Sequence, residues 1–393
     1  MKGAITAAAG FRAAGVAAGI KQDAPDLAVL VADSVCSAAA VFTTNCAQAA
    51  PVLVSREHIA SGRARAVIVN SGCANAATGA GGLEDAREMA ALTAQAVGCQ
   101  AAEVLVASTG VIGVRLPMEK LRAAIPRAAA GLAREGGADA ARAIMTTDTR
   151  PKEVLVEFVV AGRTARLGGM AKGAAMIHPQ LATMLAVITT DYPLRPGEPE
   201  RFLRPAVEHS FNRISVDGDC STNDTVILLA NGAGKVERGE ATDQEFEQSL
   251  AQVCHELAEQ IVKDAEGFTV LMEVNVSGAT DEDQAVAIAA RIASSPLVKT
   301  AVFGRDPNWG RVMMAAGSAP WHGSYAELDP GKVTLAFNGT QVLTDGAYIE
   351  ATPSMEGVSC VIDLDLGLGD GEAAYLASDL SYEYVRLNAE YTT

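Results

Sequence analysis

The 393-residue sequence is poor in the groups that hold metals. It contains five histidines and seven cysteines, and the cysteines are scattered without a C-x-x-C pair. Neither an H-E-x-x-H pattern nor a cluster of carboxylates is present, so no metal site is expected. An odd, dispersed set of cysteines is typical of reduced thiols, which predicts a cytoplasmic protein without a disulfide framework.

Positive charge and long apolar runs are scarce as well. Lys and Arg number 31 against 47 Asp and Glu, a formal net charge of −16. This charge repels a phosphate backbone, and no Lys/Arg run is available to neutralise successive phosphates, which argues against nucleic acid as a partner. No apolar run reaches the roughly 18 residues that a membrane helix needs, so no membrane partner is expected.

What the sequence has is alternating strand and helix patterns. A chain this long exceeds the roughly 250 to 300 residues of a single hydrophobic core, which predicts either two lobes or one large layered domain with an appendage. Short β-branched runs predict strands at 27–32, 65–70, 103–108, 153–160, 184–190, 225–231 and 269–276. Apolar residues recurring every three or four positions predict helices at 84–97, 118–135, 243–263 and 281–292. The runs at 332–338, 358–365 and 372–388 follow one another without a helix, which favours an α+β layered fold.

One apolar run begins with a hydroxyl. The segment GGMAKGAAMIHPQLATMLAVITTD, residues 168–191, places Thr183 at the head of a predicted buried strand. A threonine there is usually only a β-branched residue in a favourable position. Alternatively, Thr183 is a nucleophile whose base is its own α-amine, freed by cleavage of the preceding bond. An α-amine with a pKa of about 7.7–8.0 suits that task better than an ordinary lysine at about 10.4.

A nucleophile of this kind needs donors for the oxyanion it generates. The segment ASTGVIG, residues 107–113, follows a predicted strand. It offers the hydroxyl of Thr109 and the N–H of Gly110 as such donors. The alternative is a plain turn between a strand and a loop, and these residues alone leave both readings open.

Five segments together carry a resemblance to a known family. The chain is similar to the glutamate N-acetyltransferase/ornithine acetyltransferase family in TTDT, GGMAKGAAMIHPQLATML, NRISVDGDCSTNDT, GRDPNWGRV and EYVRLNAEYTT, at 146–149, 168–185, 212–225, 304–312 and 383–393. The resemblance implies an α/β protein, a two-lobed sandwich with strand layers between helices. It also implies a self-cleaving precursor similar to the N-terminal-nucleophile enzymes, cut between Ala182 and Thr183. Residues 1–182 would form an α chain with the N-terminal lobe and oxyanion loop, and residues 183–393 a β chain with the nucleophile and C-terminal lobe.

The resemblance also implies the site residues. Thr183 would be the nucleophile, and Thr109 and Gly110 would stabilise the oxyanion. The substrate would be bound by Thr146, Lys172, Thr183, Glu266, Asn388 and Thr393.

Each substrate-binding assignment has an ordinary alternative. Lys172 and Glu266 are also consistent with solvated surface charges. Thr146 is consistent with a helix cap, and Asn388 and Thr393 with a disordered terminus. Four apolar residues of the tail, Tyr382, Tyr384, Val385 and Leu387, argue that the terminus is anchored to the protein.

The implied activity is a two-step acetyl transfer in arginine biosynthesis. Acetyl would pass from N2-acetylornithine to L-glutamate through an acetyl-Thr183 enzyme, without a bound cofactor. Whether acetyl-CoA is a second donor stays open, and the cleaved chains are expected to form a heterotetramer. The alternatives are an N-terminal-threonine peptidase or amidohydrolase, which passes the acyl group to water, and a small-molecule binding protein that keeps the fold.

Overall fold

The computed structural model describes residues 3–160, 162–178 and 184–390. Its strands are β1 (Phe11–Val16), β2 (Leu27–Phe42), β3 (Arg63–Cys73), β4 (Val104–Val111), β5 (Lys152–Val160), β6 (Arg163–Lys172), β7 (Leu185–Thr190), β8 (Ile214–Ser215), β9 (Thr225–Ala230), β10 (Leu271–Ala279), β11 (Pro320–Trp321), β12 (Ser324–Tyr325), β13 (Thr334–Phe337), β14 (Thr340–Thr344), β15 (Ala347–Tyr348), β16 (Ser359–Asp365) and β17 (Gly371–Ser378). Its α-helices are α1 (Ala50–Ile59), α2 (Gly79–Val97), α3 (Met118–Ala130), α4 (Gly137–Ala143), α5 (Glu198–Glu208), α6 (Glu240–Val262), α7 (Glu282–Ala293), α8 (Pro296–Phe303), α9 (Trp309–Ala316) and α10 (Tyr382–Glu390).

The first sheet folds back on itself through the long strand β2. Its order is β4-β3-β2-β9-β7-β6-β5, with β1 also paired to β2. The first part of β2 pairs with β1 and β3, and after an irregularity the second part, from Ser37 to Phe42, pairs with β9. The sheet therefore has two halves joined by a single strand.

Alternating side chains divide these halves into four layers. On β2, Val29 belongs to a core shared with α1, α2 and α3, whereas its neighbour Leu30 belongs to a central core. On β7, Ile188 belongs to a core shared with α5 and α6, whereas Val187 belongs to the same central core as Leu30. Because successive strand residues point to opposite faces, the two half-sheets face each other and carry helices on their outer sides.

The second lobe is built on a separate sheet. Its order is β15-β14-β13-β16-β10-β17-β8, and β10 runs parallel to β16 but antiparallel to β17. Val274 of β10 and Ile362 of β16 share a core with Ile288 of α7, Val302 of α8 and Val312 of α9. The predicted two-lobed layering, with strand layers between helices, is thus confirmed.

The predicted elements before residue 300 agree with the structure, with differences in detail. All seven predicted strands are confirmed, and α2, α3, α6 and α7 match the predicted helices with shifted ends. Helices α1, α4, α5, α8 and α9 have no counterpart in the prediction. Four of them have ten residues or fewer, so their apolar patterns span too few turns to be distinguished from a loop. The fifth, α5, contains two prolines, Pro199 and Pro205, which weaken a helix prediction.

The expectation for the tail was wrong in part. The run at 372–388 does not continue as strand: β17 ends at Ser378 and α10 begins at Tyr382. Ser381 caps this helix, since its Oγ accepts the N–H of Tyr384 at 3.2 Å. Tyr382 is 85% exposed and Val385 is 59% exposed, so these two side chains do not bury the tail. Tyr384 does pack against the core of the first lobe.

Both sides of the predicted cleavage bond contribute to the first sheet. Strand β6 ends at Lys172 and its antiparallel partner β7 begins at Leu185, and these two residues are paired. Within the described ranges, no single helix has the length and apolar composition of a membrane span, and one bent pair, α7 with α8, passes on those two criteria alone.

Candidate active site

The candidate site lies where β4 and β6 end and β7 begins. Thr109, near the end of β4, is 3% exposed, and Lys172, the last residue of β6, is 2% exposed. The Lys172 Nζ donates a hydrogen bond to the Thr109 Oγ1 at 3.2 Å. Two strands that are distant in the sheet order therefore meet through one buried polar contact. The hydroxyl hydrogen of Thr109 stays available to donate to a third group.

Gly110 of β4 is paired with Gly72 of β3. Its φ is 129°, a conformation that residues with a side chain rarely adopt. A Cβ at this position would lie 2.3 Å from the carbonyl carbon of Gly72 and 2.5 Å from the nitrogen of Cys73. Glycine is therefore required here by packing as well as by backbone conformation.

Asp148 connects the backbone of Thr146 with that of Gly173, the residue after Lys172. Its Oδ2 accepts the N–H of Thr146 at 2.9 Å, and its Oδ1 accepts the N–H of Gly173 at 2.7 Å. Burial alone raises the pKa of this carboxyl group, but the ammonium groups of Lys172 and Lys152 outweigh it and lower the pKa to about 2. Asp148 is thus a buried carboxylate that fixes the backbone on either side of the site.

A second buried lysine, Lys152, forms an ion pair with Asp148. The Nζ of Lys152 lies 2.5 Å from Asp148 Oδ1 and 2.6 Å from Asp264 Oδ2. Asp264 also accepts hydrogen bonds from the backbone N–H and the hydroxyl of Thr149. Lys152 therefore has two direct carboxylate partners, which is how a fully buried ammonium is normally accommodated.

Lys172 lacks such compensation among the described residues. No carboxylate of that part of the chain forms a direct ion pair with it. Burial lowers the pKa of its ammonium, and the nearby Asp148, Asp224 and Glu266 oppose that effect without a direct contact. A buried cation with unused donors is a suitable group to meet an anionic part of a ligand.

The start of β7 is held by another buried acid. Asp224, fully buried just before β9, accepts the N–H of Met184 on its Oδ1 at 2.8 Å. Among the described residues its Oδ2 has no hydrogen-bond partner, and burial raises the pKa of this carboxyl group well above its usual range. The adjacent Asn223 donates to the carbonyl of Ser108 at 2.8 Å. The loop before β9 thus joins the end of β4 to the first described residue of the β7 segment.

Glu266 and Asn388 meet at the edge of the site. The Glu266 N–H donates to the carbonyl of Ala174 at 2.9 Å, which places Glu266 beside the segment that follows Lys172. The side-chain amide of Asn388, on α10, donates to Glu266 Oε2 at 2.9 Å. Helix α10 therefore contacts the candidate site.

Several alternatives from the sequence can now be judged. Lys172 is not a solvated surface charge. Thr146 is not a helix cap, because the C-cap of the preceding helix α4 is Ile144 and the next described element is the strand β5. Asn388 belongs to a helix rather than to a disordered end. The predicted residues Ala182, Thr183 and Thr393 lie outside the described residues.

Four acidic or basic residues of the site have no role in the sequence-based assignment. Asp148 and Asp224 lie inside the segments TTDT and NRISVDGDCSTNDT, which carry the resemblance, whereas Lys152 and Asp264 lie outside them. The pairing of Lys152 with Asp264 joins positions 112 residues apart. No local pattern in the sequence could have indicated that contact.

The fold and site together define a class. This is a layered α/β protein whose candidate site is a buried polar cluster of lysines, carboxylates and a threonine hydroxyl at the ends of strands. Within the described ranges, no group of three or more His, Cys, Asp or Glu side chains is placed to hold a metal ion.

The chain belongs to the ArgJ family, whose sequence model matches residues 12–393. It is 47% identical to an arginine biosynthesis bifunctional protein ArgJ from a Synechococcus species, over all of this chain and 98% of that protein. It is 46% identical to the protein of the same description from Symbiobacterium thermophilum, over all of this chain and 99% of that protein. A solved chain of ornithine acetyltransferase from Mycobacterium tuberculosis, complexed with ornithine, is 45% identical over 45% of this chain and 95% of its own length, with a TM-score of 0.41.

Proposed function

We propose that this protein is an acetyltransferase of arginine biosynthesis that moves acetyl from N2-acetylornithine to L-glutamate through an acetyl-Thr183 enzyme. The observation that carries the proposal is the buried contact between Thr109 and Lys172 beside the start of β7. It supplies a hydroxyl donor and a buried cation that forms no direct ion pair among the described residues, and it lies beside Leu185, two residues after Thr183. Full-length similarity to proteins described as bifunctional in arginine biosynthesis supports the same activity.

The first half-reaction transfers acetyl to the enzyme. The free α-amine of Thr183 takes the proton of its own hydroxyl, and the hydroxyl oxygen attacks the acetyl carbonyl of N2-acetylornithine. The resulting oxyanion accepts hydrogen bonds from the Thr109 hydroxyl and the Gly110 N–H. The carbon–nitrogen bond then breaks, and the α-ammonium returns the proton to the departing amine of ornithine.

The second half-reaction reverses these steps with a different amine. The α-amine of glutamate attacks the ester carbonyl of acetyl-Thr183, and the oxyanion again lies against Thr109 and Gly110. The bond between the carbonyl carbon and the threonine oxygen breaks, and the proton lost by the glutamate amine returns to that oxygen. Both substrates carry a carboxylate beside the reacting nitrogen, and the ammonium of Lys172 is suited to bind it.

The proposal includes cleavage between Ala182 and Thr183, which frees the α-amine. The two products, 1–182 and 183–393, would stay associated because strands from both, β6 and β7, are paired in the first sheet. Assembly of two such cleaved pairs into a heterotetramer, a cytoplasmic location and the use of acetyl-CoA as a second donor also belong to the proposal.

A labelling experiment tests the proposed activity. The purified protein is incubated with N-acetylornithine carrying a mass-labelled acetyl group, with and without glutamate. We expect labelled acetylglutamate only when glutamate is present. Release of labelled acetate at the same rate in both samples would identify a hydrolase instead, and no consumption would identify a binding protein. Replacing acetylornithine with labelled acetyl-CoA in the same assay tests the second donor.

A further inference from the structure

Asp217, which follows β8, accepts hydrogen bonds from the backbone of the turn at residues 173–178, which follows β6. Its Oδ2 accepts the N–H of Met176 at 2.5 Å, and its Oδ1 accepts the N–H of Ile177 at 2.8 Å. Two consecutive backbone donors thus meet the two oxygens of one carboxylate. A carboxylate accepts at both oxygens, whereas an asparagine amide would present its own NH₂ to one of the two N–H groups.

This turn is not held by strand pairing. It begins after Lys172, the last residue of β6. Met176 has a φ of 53°, a conformation that carries strain for a residue other than glycine. Ile177 is buried in the core of the first lobe, and its carbonyl accepts the N–H of Val216 at 2.8 Å. The bonds to Val216 and Asp217 therefore fix a strained turn against the segment around β8.

Asp217 also lies at the junction of three elements. Burial raises the pKa of Tyr384 on α10, and the negative charge of Asp217 raises it further. Lys299 of α8, buried in the second lobe, lies close enough for the Asp217 charge to oppose the lowering of its pKa by burial. Burial raises the pKa of Asp217 itself to about 6, so a charge is retained here at a cost in stability.

We infer that Asp217 is a positioning residue that holds the end of the first cleaved chain on the second. Met176 and Ile177 would belong to residues 1–182, and Asp217 to residues 183–393. These hydrogen bonds join two chains only if the proposed cleavage occurs, but the bonds themselves are present in the uncut chain. Its consequence is that Lys172 and Gly173, just before the turn, stay against Thr109 and Asp148 after the connecting peptide bond is gone.

Hydrogen exchange measured by mass spectrometry on the full-length protein tests this inference. The readout is the exchange rate of peptides covering residues 173–178 in Asp217→Ala and Asp217→Asn. We expect exchange on the order of tenfold to a hundredfold faster in Asp217→Ala, because charged hydrogen bonds to both amides are lost. Asp217→Asn should show a smaller increase, and Asp217→Glu, which keeps two acceptor oxygens, should restore most of the protection.

Asp219→Asn is the matched control, because it removes the same charge two residues away on an exposed side chain without removing an acceptor from Met176 or Ile177. Its exchange at 173–178 should equal that of the wild type. Exchange in β3 shows whether each variant is folded, and the near-isosteric Asp217→Asn replaces Asp217→Ala if the latter is not. The Michaelis constant for acetylornithine should rise in Asp217→Asn with a smaller change in kcat, because Lys172 loses its fixed position.

The outcomes separate this inference from the proposed activity. Unchanged exchange at 173–178 in both Asp217→Ala and Asp217→Asn, or an equal acceleration in Asp219→Asn, would overturn the inference. A denaturing gel of the same samples reports cleavage independently. If the wild type is uncut, the interchain role is overturned together with the proposed cleavage, and the exchange data still decide whether Asp217 holds the turn.

Discussion

Two buried lysines on neighbouring strands of the first sheet have opposite surroundings. Lys152, at the start of β5, forms direct ion pairs with Asp148 and Asp264. Lys172, at the end of β6, donates to a threonine hydroxyl and forms no direct ion pair within the described residues. The first charge is fully compensated by the protein, whereas the second retains donors for another molecule. In this protein, the incompletely compensated charge marks the candidate site and the compensated one supports it.

The largest expected effect comes from removing each lysine in turn. Lys152→Met should lower the free energy of unfolding by about 3–5 kcal/mol, because it removes the buried cation that both carboxylates contact directly. Lys172→Met should lower it by roughly half of that or less, but should slow acetyl transfer severely. Urea unfolding and steady-state kinetics of the two variants check this pair. Equal losses of stability would remove the distinction between the two lysines.

The next effect concerns the hydroxyl that Lys172 contacts. Thr109→Ala should lower kcat by on the order of 10²–10³, because it removes a donor to the oxyanion, and should slow self-cleavage for the same reason. Thr109→Ser, which keeps the hydroxyl, is the control and should retain most of the activity. A wild-type kcat in Thr109→Ala would return this segment to a plain turn.

A smaller effect is expected from the carboxylate between the two lysines. The pKa of Asp148 is lowered from 3.8 to about 2. Its stabilising contribution is therefore present above pH 4 and lost as the pH falls towards 2, amounting to about 2 kcal/mol. Acid unfolding of Asp148→Asn should lack this part of the pH dependence, whereas the exposed Asp139→Asn should keep it. An unchanged acid transition in Asp148→Asn would show that the lysines do not lower the pKa of Asp148.

The smallest effect is expected at the edge of the site. Asn388→Ala removes the hydrogen bond to Glu266, and the exposed position limits the loss. The Michaelis constant should rise on the order of threefold to tenfold with little change in kcat. Arg386→Ala, on the same helix, removes only exposed ion pairs and should leave both constants unchanged. A large fall in kcat in Asn388→Ala would instead indicate a role in the chemical step.

Local patterns predicted the strands well and the supporting charges poorly. The β-branched runs that become β3, β4 and β7 are continuous in sequence, so their strand character could be read directly. The structure of the tail could not be predicted in this way, because strand β17 ends and helix α10 begins within a few residues of each other. Ser381, between them, caps the helix. Thr109 is offered as an oxyanion donor by its own segment, whereas Lys172 follows only from the family resemblance. No spacing rule predicts their contact across 63 residues.

Covalent capture of the acetyl group tests the central claim most directly. The protein is mixed with N-acetylornithine carrying a mass-labelled acetyl group, without glutamate, then quenched in acid and mapped by peptide mass spectrometry. We predict a chain that begins at Thr183 and carries the label on that residue, and a Thr183→Ala variant that is neither cut nor labelled. An uncut chain that transfers acetyl at the full rate, or a label on any other residue, would contradict the account.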